Sequence, residues 1–268
     1  MSDGNGAGAP GWLPDSLSCT LVDQVAVLRL CRPAKRNALN IELIDGIRRF
    51  FDDPPAAARA VVLHGEGEHF SAGLDLSDIR EHGASDGVFH SRRWHRAFTA
   101  MEAGELPVVA VLRGAVIGGG LELAAAAHIR VAEPSTFYAL PEGQRGIFVG
   151  GGGSVRIPRL IGVARMADMM LTGRTYGAAD GAAIGLSQYQ PGANEGLALA
   201  MDLAKRIAGN TRLTNFAVMH ALPRIADADP ATGYLTESLM SAIAASDDEA
   251  KRRLADFLEK RAAKVAHG

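Results

Sequence analysis

The spacing of hydrophobic and polar positions changes several times along the chain, and each change marks an element. Residues 17–30 alternate well enough for a strand or hairpin, and Arg32-Pro33-Ala34-Lys35-Arg36-Asn37 breaks the alternation. Ile41, Ile44, Ile47 and Phe51 then recur at helical spacing, which predicts a helix over 41–51 with Asn40 as N-cap and Pro54-Pro55 as stop. The runs at 60–63 and 108–112 read as short buried strands. Residues 88–101 and 121–127 predict helices, and 129–132 and 136–140 predict short strands. Strand alternating with helix gives an α/β fold with largely parallel pairing, in which ligands bind near the carboxyl ends of the strands. From Glu195 onward only helical periodicity remains, in about four segments interrupted at Gly209-Asn210, at Asp229-Pro230 and near Ser246-Asp247. Such a block has to bury its apolar faces on the core, on another subunit, or on both. The expected organisation is a mobile tail over 1–14, a core over 15–195 and a helical region over 196–268.

Composition removes several function classes. With 268 residues, 47% hydrophobic and 22% charged, the chain suits one large soluble domain or one domain with an appendage. A net charge of -2 without a dense Lys/Arg block argues against nucleic acid as the main partner. Cys19 and Cys31 give neither a disulfide framework nor metal spacing, which fits a reducing, cytoplasmic setting. No apolar run approaches the ~20 residues needed to cross a bilayer, so no membrane role is expected.

Three glycine-bearing stretches stand out. Val116-Ile117-Gly118-Gly119-Gly120-Leu121-Glu122 joins a buried strand to an alanine-rich helix, so unpaired helix-N-terminal N–H groups meet a backbone with no Cβ in the way. That is a site for negative charge, although a tight turn with Glu122 capping its own helix fits the same residues. Phe70-Ser71-Ala72-Gly73-Leu74-Asp75 also follows a buried strand and can present backbone N–H groups, or end in Asp75 as a helix cap. Leu140-Pro141-Glu142-Gly143 puts a carboxylate at a strand end ahead of Gly150 to Gly153; read alone, Glu142 fits a solvated turn residue and Gly150 to Gly153 a flexible loop equally well.

Rival chemistries fail on the same text. Gly150 to Gly153 runs into Ser154-Val155, without the Lys-Ser/Thr of a phosphate loop. The triplet at Gly118 lacks the dinucleotide-binding pattern, and no Gly-x-Ser-x-Gly elbow is present. His64 with His69, and His90 with His95, are not in zinc-binding frames.

In order, the stretches at 70–76, 114–124, Pro141-Glu142 and 152–162 resemble the crotonase superfamily of enoyl-CoA hydratases and isomerases. The resemblance begins near Arg32, includes Leu171-Thr172-Gly173-Arg174 and the segment 178–186, and reaches Phe257-Leu258-Glu259-Lys260-Arg261. It implies a ββα spiral core with a C-terminal helical oligomerisation region, a homotrimer or dimer of trimers, and an acyl-CoA substrate with no separate metal or redox cofactor. It also implies that the N–H groups of Ala72 and Gly119 form an oxyanion hole for a thioester carbonyl. Glu122 would handle water and Glu142 the Cα proton. Ser71, Gly73, Leu74, Asp75 and Gly118 would bind substrate from the two loops, and Lys35, Arg36, Phe257 and Lys260 would contact CoA. Val149 stands where many hydratases have proline, residues 143–148 add polar bulk after Glu142, and Ala244 replaces an aromatic residue of some members. Hydration of a 2-enoyl-CoA is the expected reaction. Isomerisation or thioester hydrolysis, including hydration and hydrolysis of a methylthio-acryloyl-CoA, is the alternative on the same fold. A non-catalytic acyl-CoA-binding or RNA-associated relative is the alternative from another class.

Overall fold

The computed structural model describes residues 11–78 and 83–259. The chain divides into two units, Met1–Ala208 and Gly209–Gly268, so the division falls later than residue 195.

The first unit begins with the expected hairpin, β1 (Leu17–Val22) against β2 (Val25–Leu30). Next come α1 (Ile41–Asp52), β3 (Ala60–Gly65), α2 (Ala84–Glu102) and β4 (Val108–Leu112). Asn40 caps α1, its side chain accepting from the Leu43 N–H. After β4 the chain forms β5 (Ala115–Ile117), α3 (Gly119–Ala125), β6 (Ile129–Ala132) and β7 (Phe137–Ala139). Then follow α4 (Gly153–Ile161), α5 (Val163–Thr172), β8 (Tyr176–Gly177), α6 (Ala178–Ile184) and α7 (Gly196–Ala208).

One sheet runs β1-β2-β3-β4-β6, antiparallel only at β1-β2, and a smaller sheet runs β5-β7-β8. All five residues of β4 are buried, as a central parallel strand covered on both faces requires. Its alternation divides the core. Val108, Ala110 and Leu112 join Leu43, Ile47 and Phe98 on one face, while Val109 and Val111 meet Ala200, Leu203 and Ala204 of α7 on the other. Each fully buried Val or Leu there contributes roughly 1.5–3 kcal/mol. This second face is why α7 belongs with the core although it follows residue 195. Trp12 and Leu13 also pack on the core, with the Arg49 guanidinium 4.1 Å from the Trp12 ring centre, so the core takes in positions that the sequence assigns to the tail.

The second unit holds α8 (Arg212–Phe216), a π-turn over Ala217–Ala221, α9 (Leu222–Asp227), α10 (Pro230–Ser246) and α11 (Asp248–Leu258). Thr211, Asp229 and Asp247 cap α8, α10 and α11 through their side chains, at the interruptions visible in the sequence. Few of its described residues are buried. Phe216, Tyr234, Leu235, Leu239, Leu254 and Phe257 are each at least half exposed.

Candidate active site

Loops following β3, β5 and β7 close around a cavity of about 450 Å³ in the first unit, walled by Leu74, Trp94, Gly119, Glu122, Glu142 and Phe148 among others. The isolated parallel bridges Ser71–Val116 and Leu39–Leu74 tie the first loop to its neighbours.

Glu122 sits in the first turn of α3 and is 3% exposed. Its Oε1 accepts from the Gly151 N–H at 2.8 Å and the Gly153 N–H at 2.7 Å. Burial raises its pKa, against the opposing pull of the Gly153, Gly151 and Gly150 amides and of the Arg156 charge. The glycines are there for closeness, since a Cβ on Gly153 would stand 2.7 Å from Glu122 Cγ. The segment that, read alone, fits a flexible loop equally well is therefore the seat of a carboxylate.

Glu142 follows β7 and is 8% exposed. Its Oε2 is buried without a hydrogen-bond partner among the described residues. Burial raises its pKa first, and the Glu122 charge adds to the rise, while its own amide and Arg145 oppose it. Gly118, at φ 52°, is required twice over, by that left-handed backbone and because a Cβ would collide with Glu142 Oε1.

The expected Ala72 amide is not available to a ligand, because it donates to the Arg36 carbonyl at 2.9 Å. The adjacent geometry points to Leu74 instead. In the Leu39–Leu74 bridge the Leu39 N–H donates to Gly73 O and the Asp75 N–H to Leu39 O, so the Leu74 N–H is left over. Leu74 lines the cavity, and its nitrogen lies 3.4 Å from where a Cβ on Gly119 would be. The Gly119 N–H, at the first position of α3, has no intrahelical acceptor.

Other expected substrate contacts resolve differently. Gly73, Leu74 and Gly118 line the cavity. Ser71 does not, and its buried hydroxyl donates to Asn37 O at 2.8 Å and accepts from the Gly73 N–H. Asp75 also lies off the wall. It pairs with Arg32 at 2.7 Å and accepts from Ser77, and these bonds, Ser77 first, hold its pKa near about 2. Both residues brace the loop that presents Leu74. Lys35 and Arg36 are exposed and off the cavity wall. Phe257 is 57% exposed in the second unit, and Lys260 lies outside the described residues.

Sequence reasoning missed the contribution of α2, whose His90, Ser91 and Trp94 line the cavity. The signal was a stripe His90, Trp94, Phe98, Met101 at helical spacing whose amino-terminal end is polar, in a segment that the sequence reading takes only as a helix. No group of three or more His, Cys, Asp or Glu among the described residues is placed to hold a metal ion. No described helix is long and apolar enough to cross a membrane.

Comparison with known proteins bears on the family and the fold. The family model for enoyl-CoA hydratase/isomerase matches residues 21–267. A crystal structure of a "putative enoyl-CoA hydratase" from Rhodopseudomonas palustris CGA009 shares 58% identity, covers 93% of this chain and 97% of its own, and superposes with a TM-score of 0.90. The "putative enoyl-CoA hydratase/isomerase YngF" of Bacillus subtilis (strain 168) is 31% identical over 254 residues, covering 93% of this chain and 97% of that protein. The fatty acid oxidation complex subunit alpha of Shewanella loihica is 44% identical over 129 residues, 47% of this chain, and the match spans only 18% of that larger protein. The crotonase fold is thereby shown, and the chain belongs to the enoyl-CoA hydratase/isomerase family.

Proposed function

We propose that this protein adds water across the 2,3 double bond of an acyl-CoA thioester. The observation that carries the reading is the unequal seating of two buried carboxylates on one cavity. Glu122 is gripped by backbone N–H groups that favour its anion, whereas Glu142 keeps a buried oxygen unpartnered and feels the Glu122 charge. That pairing suits a base and an acid working together.

Glu122 takes a proton from water as the water oxygen bonds Cβ. The π electrons move through Cα onto the thioester oxygen, where the Leu74 and Gly119 N–H groups hold the enolate. Glu142 then delivers its proton to Cα, the proton held by Glu122 returns to Glu142 through solvent to restore the starting state, and the net change is addition of one water. Two aligned donors in a water-poor pocket stabilise such charge far better than bulk solvent does. The reaction balances without an electron carrier, and CoA enters only as part of the substrate.

The exposed apolar residues of α8 to α11 support assembly as a trimer or dimer of trimers. Sedimentation giving a stable, active monomer would overturn the assembly. The activity itself is tested with a panel of 2-enoyl-CoA thioesters, following loss of the conjugated absorbance together with free-thiol release. Loss of absorbance without thiol supports hydration, and thiol release at the same rate would reassign the protein to hydrolysis.

A further inference from the structure

The Gly151 N–H that holds Glu122 shares a peptide group with the Gly150 carbonyl. That carbonyl is itself held, since it accepts from Ser91 Oγ on α2 at 2.6 Å. Ser91 Oγ also lies 3.3 Å from His95 Nε2, one helical turn further on. A serine hydroxyl has a single proton. With that proton committed to Gly150 O, the contact with His95 is satisfied when Nε2–H donates to Ser91 Oγ. The result is one chain of donors pointing the same way: His95 Nε2–H to Ser91 Oγ, Ser91 O–H to Gly150 O, and Gly151 N–H to Glu122 Oε1. The second arm of the grip is built alike. The Gly153 N–H shares its peptide with Gly152 O, which accepts from the Val155 and Arg156 N–H groups in the first turn of α4. The Gly151 and Gly153 peptides that donate to Glu122 are therefore each anchored at the far end, one by side chains of α2, with Ser91 at 2.6 Å and His95 beside it, and the other by the first turn of α4.

We propose that Ser91, backed by His95, is a positioning residue for Glu122: it fixes and polarises the Gly150–Gly151 peptide and so sets the orientation and basicity of the base. The inference rests on the hydratase reading for its kinetic consequences, though not for its structural ones. Aligned hydrogen bonds strengthen one another, so loss of the Ser91 link weakens the Gly151 bond to the carboxylate. A carboxylate that loses a donor is a poorer anion, and its pKa rises. The other charges facing Glu122 are Arg156 on α4 and Glu142 across the cavity, and those facing His95 are Arg92 and Arg156. Ser91→Ala changes none of them.

The test compares wild type with Ser91→Ala, Ser91→Thr and His95→Ala. For Ser91→Ala, kcat falls about three- to ten-fold, as for loss of one neutral hydrogen bond. KM for the enoyl thioester stays within about two-fold, because the change acts on the base and not on ground-state binding, and the acidic limb of the pH profile moves to higher pH. Ser91→Thr keeps a hydroxyl and restores kcat and the limb, while His95→Ala moves the limb the same way by less. Carbon-13 NMR titration of the Glu122 carboxyl in ligand-free protein reads the same shift without any turnover, so it stands even if hydration proves to be the wrong reaction. An unshifted Glu122 titration in Ser91→Ala overturns the proposal. So does a change confined to KM, which would make Ser91 a substrate contact, or a lowered Tm with an unmoved pH profile, which would make it purely structural.

Discussion

Glu122 and Glu142 face one cavity from supports of opposite character. Glu122 stands on a helix and is clasped by a four-glycine segment that starts a second helix, so its position is fixed by backbone on both sides. Glu142 stands at a strand end beside Pro141, with one oxygen left unpartnered. Burial raises both pKa values, but only Glu122 has N–H donors from another loop opposing the rise. A carboxylate that must take and orient a water proton gains from being held. One that must carry a proton to carbon gains from being neutral and unbonded.

The largest break in this comparison comes from Glu142→Gln. It retains the shape and removes the proton, and hydration should fall on the order of a thousand-fold or more. A residual rate within ten-fold of wild type would remove Glu142 from the chemistry. Gly119→Pro deletes an N–H donor, and turnover should fall on the order of a hundred- to a thousand-fold with CoA affinity largely kept. If affinity collapses while turnover survives, the oxyanion site lies elsewhere. Glu122→Gln should cost about a hundred-fold in hydration. It should also carry a pH signature. Activity needs Glu122 ionised and Glu142 protonated, so the profile is a bell belonging to the pair. Removing the Glu122 charge lowers the Glu142 pKa, and the basic limb of whatever activity remains should move to lower pH; an unmoved limb would uncouple the two.

Smaller effects sharpen the contrast. Gly153→Ala forces a methyl against Glu122, and about a ten-fold loss of kcat is expected from a displaced base. No comparable loss is expected from Gly146→Ala in the turn after Glu142, where a Cβ meets nothing within 4 Å, although φ 70° costs some stability. Asp75 serves as a third carboxylate with a structural task. Its pKa is lowered from 3.8 to about 2 in the folded protein, so its contribution is present above the unfolded value and is lost as pH falls through about 2. Asp75→Asn should cost roughly 2 kcal/mol at neutral pH and cost progressively less below pH 4. Denaturant melts at pH 7 and pH 2.5 showing the same loss would contradict that linkage.

Much of this was legible in the sequence where a single physical signal dominated. The β-branched run of β4 and the spacing and Asn40 cap of α1 need no tertiary context, and their elements lie where the pattern puts them. The helices α4 and α5 were hidden because Gly150 to Gly153 and Pro158, both breaker signals, sit at and inside a helix whose stability comes from packing. The small-residue face of α7, Ala200 and Ala204, gives no hint that it covers the sheet. Glu122 and Glu142 were visible through motif order. The choice between Ala72 and Leu74 was not, because every residue but proline carries the same amide. Only the bond from Ala72 to Arg36 and the one-sided pairing of Leu74 with Leu39 separate them.

The division of labour between the two carboxylates is tested most directly by pairing hydration with exchange of the Cα proton into deuterated solvent, in wild type, Glu122→Gln and Glu142→Gln. Hydration would be followed on 2-enoyl-CoA thioesters, exchange on a saturated acyl-CoA that cannot take up water, and double-bond migration on 3-enoyl-CoA. Wild type should hydrate and exchange, Glu122→Gln should exchange while hydrating poorly, and Glu142→Gln should do neither. A wild type that moves double bonds without adding water, or a Glu122→Gln variant that hydrates at the wild-type rate, would contradict the two-carboxylate account.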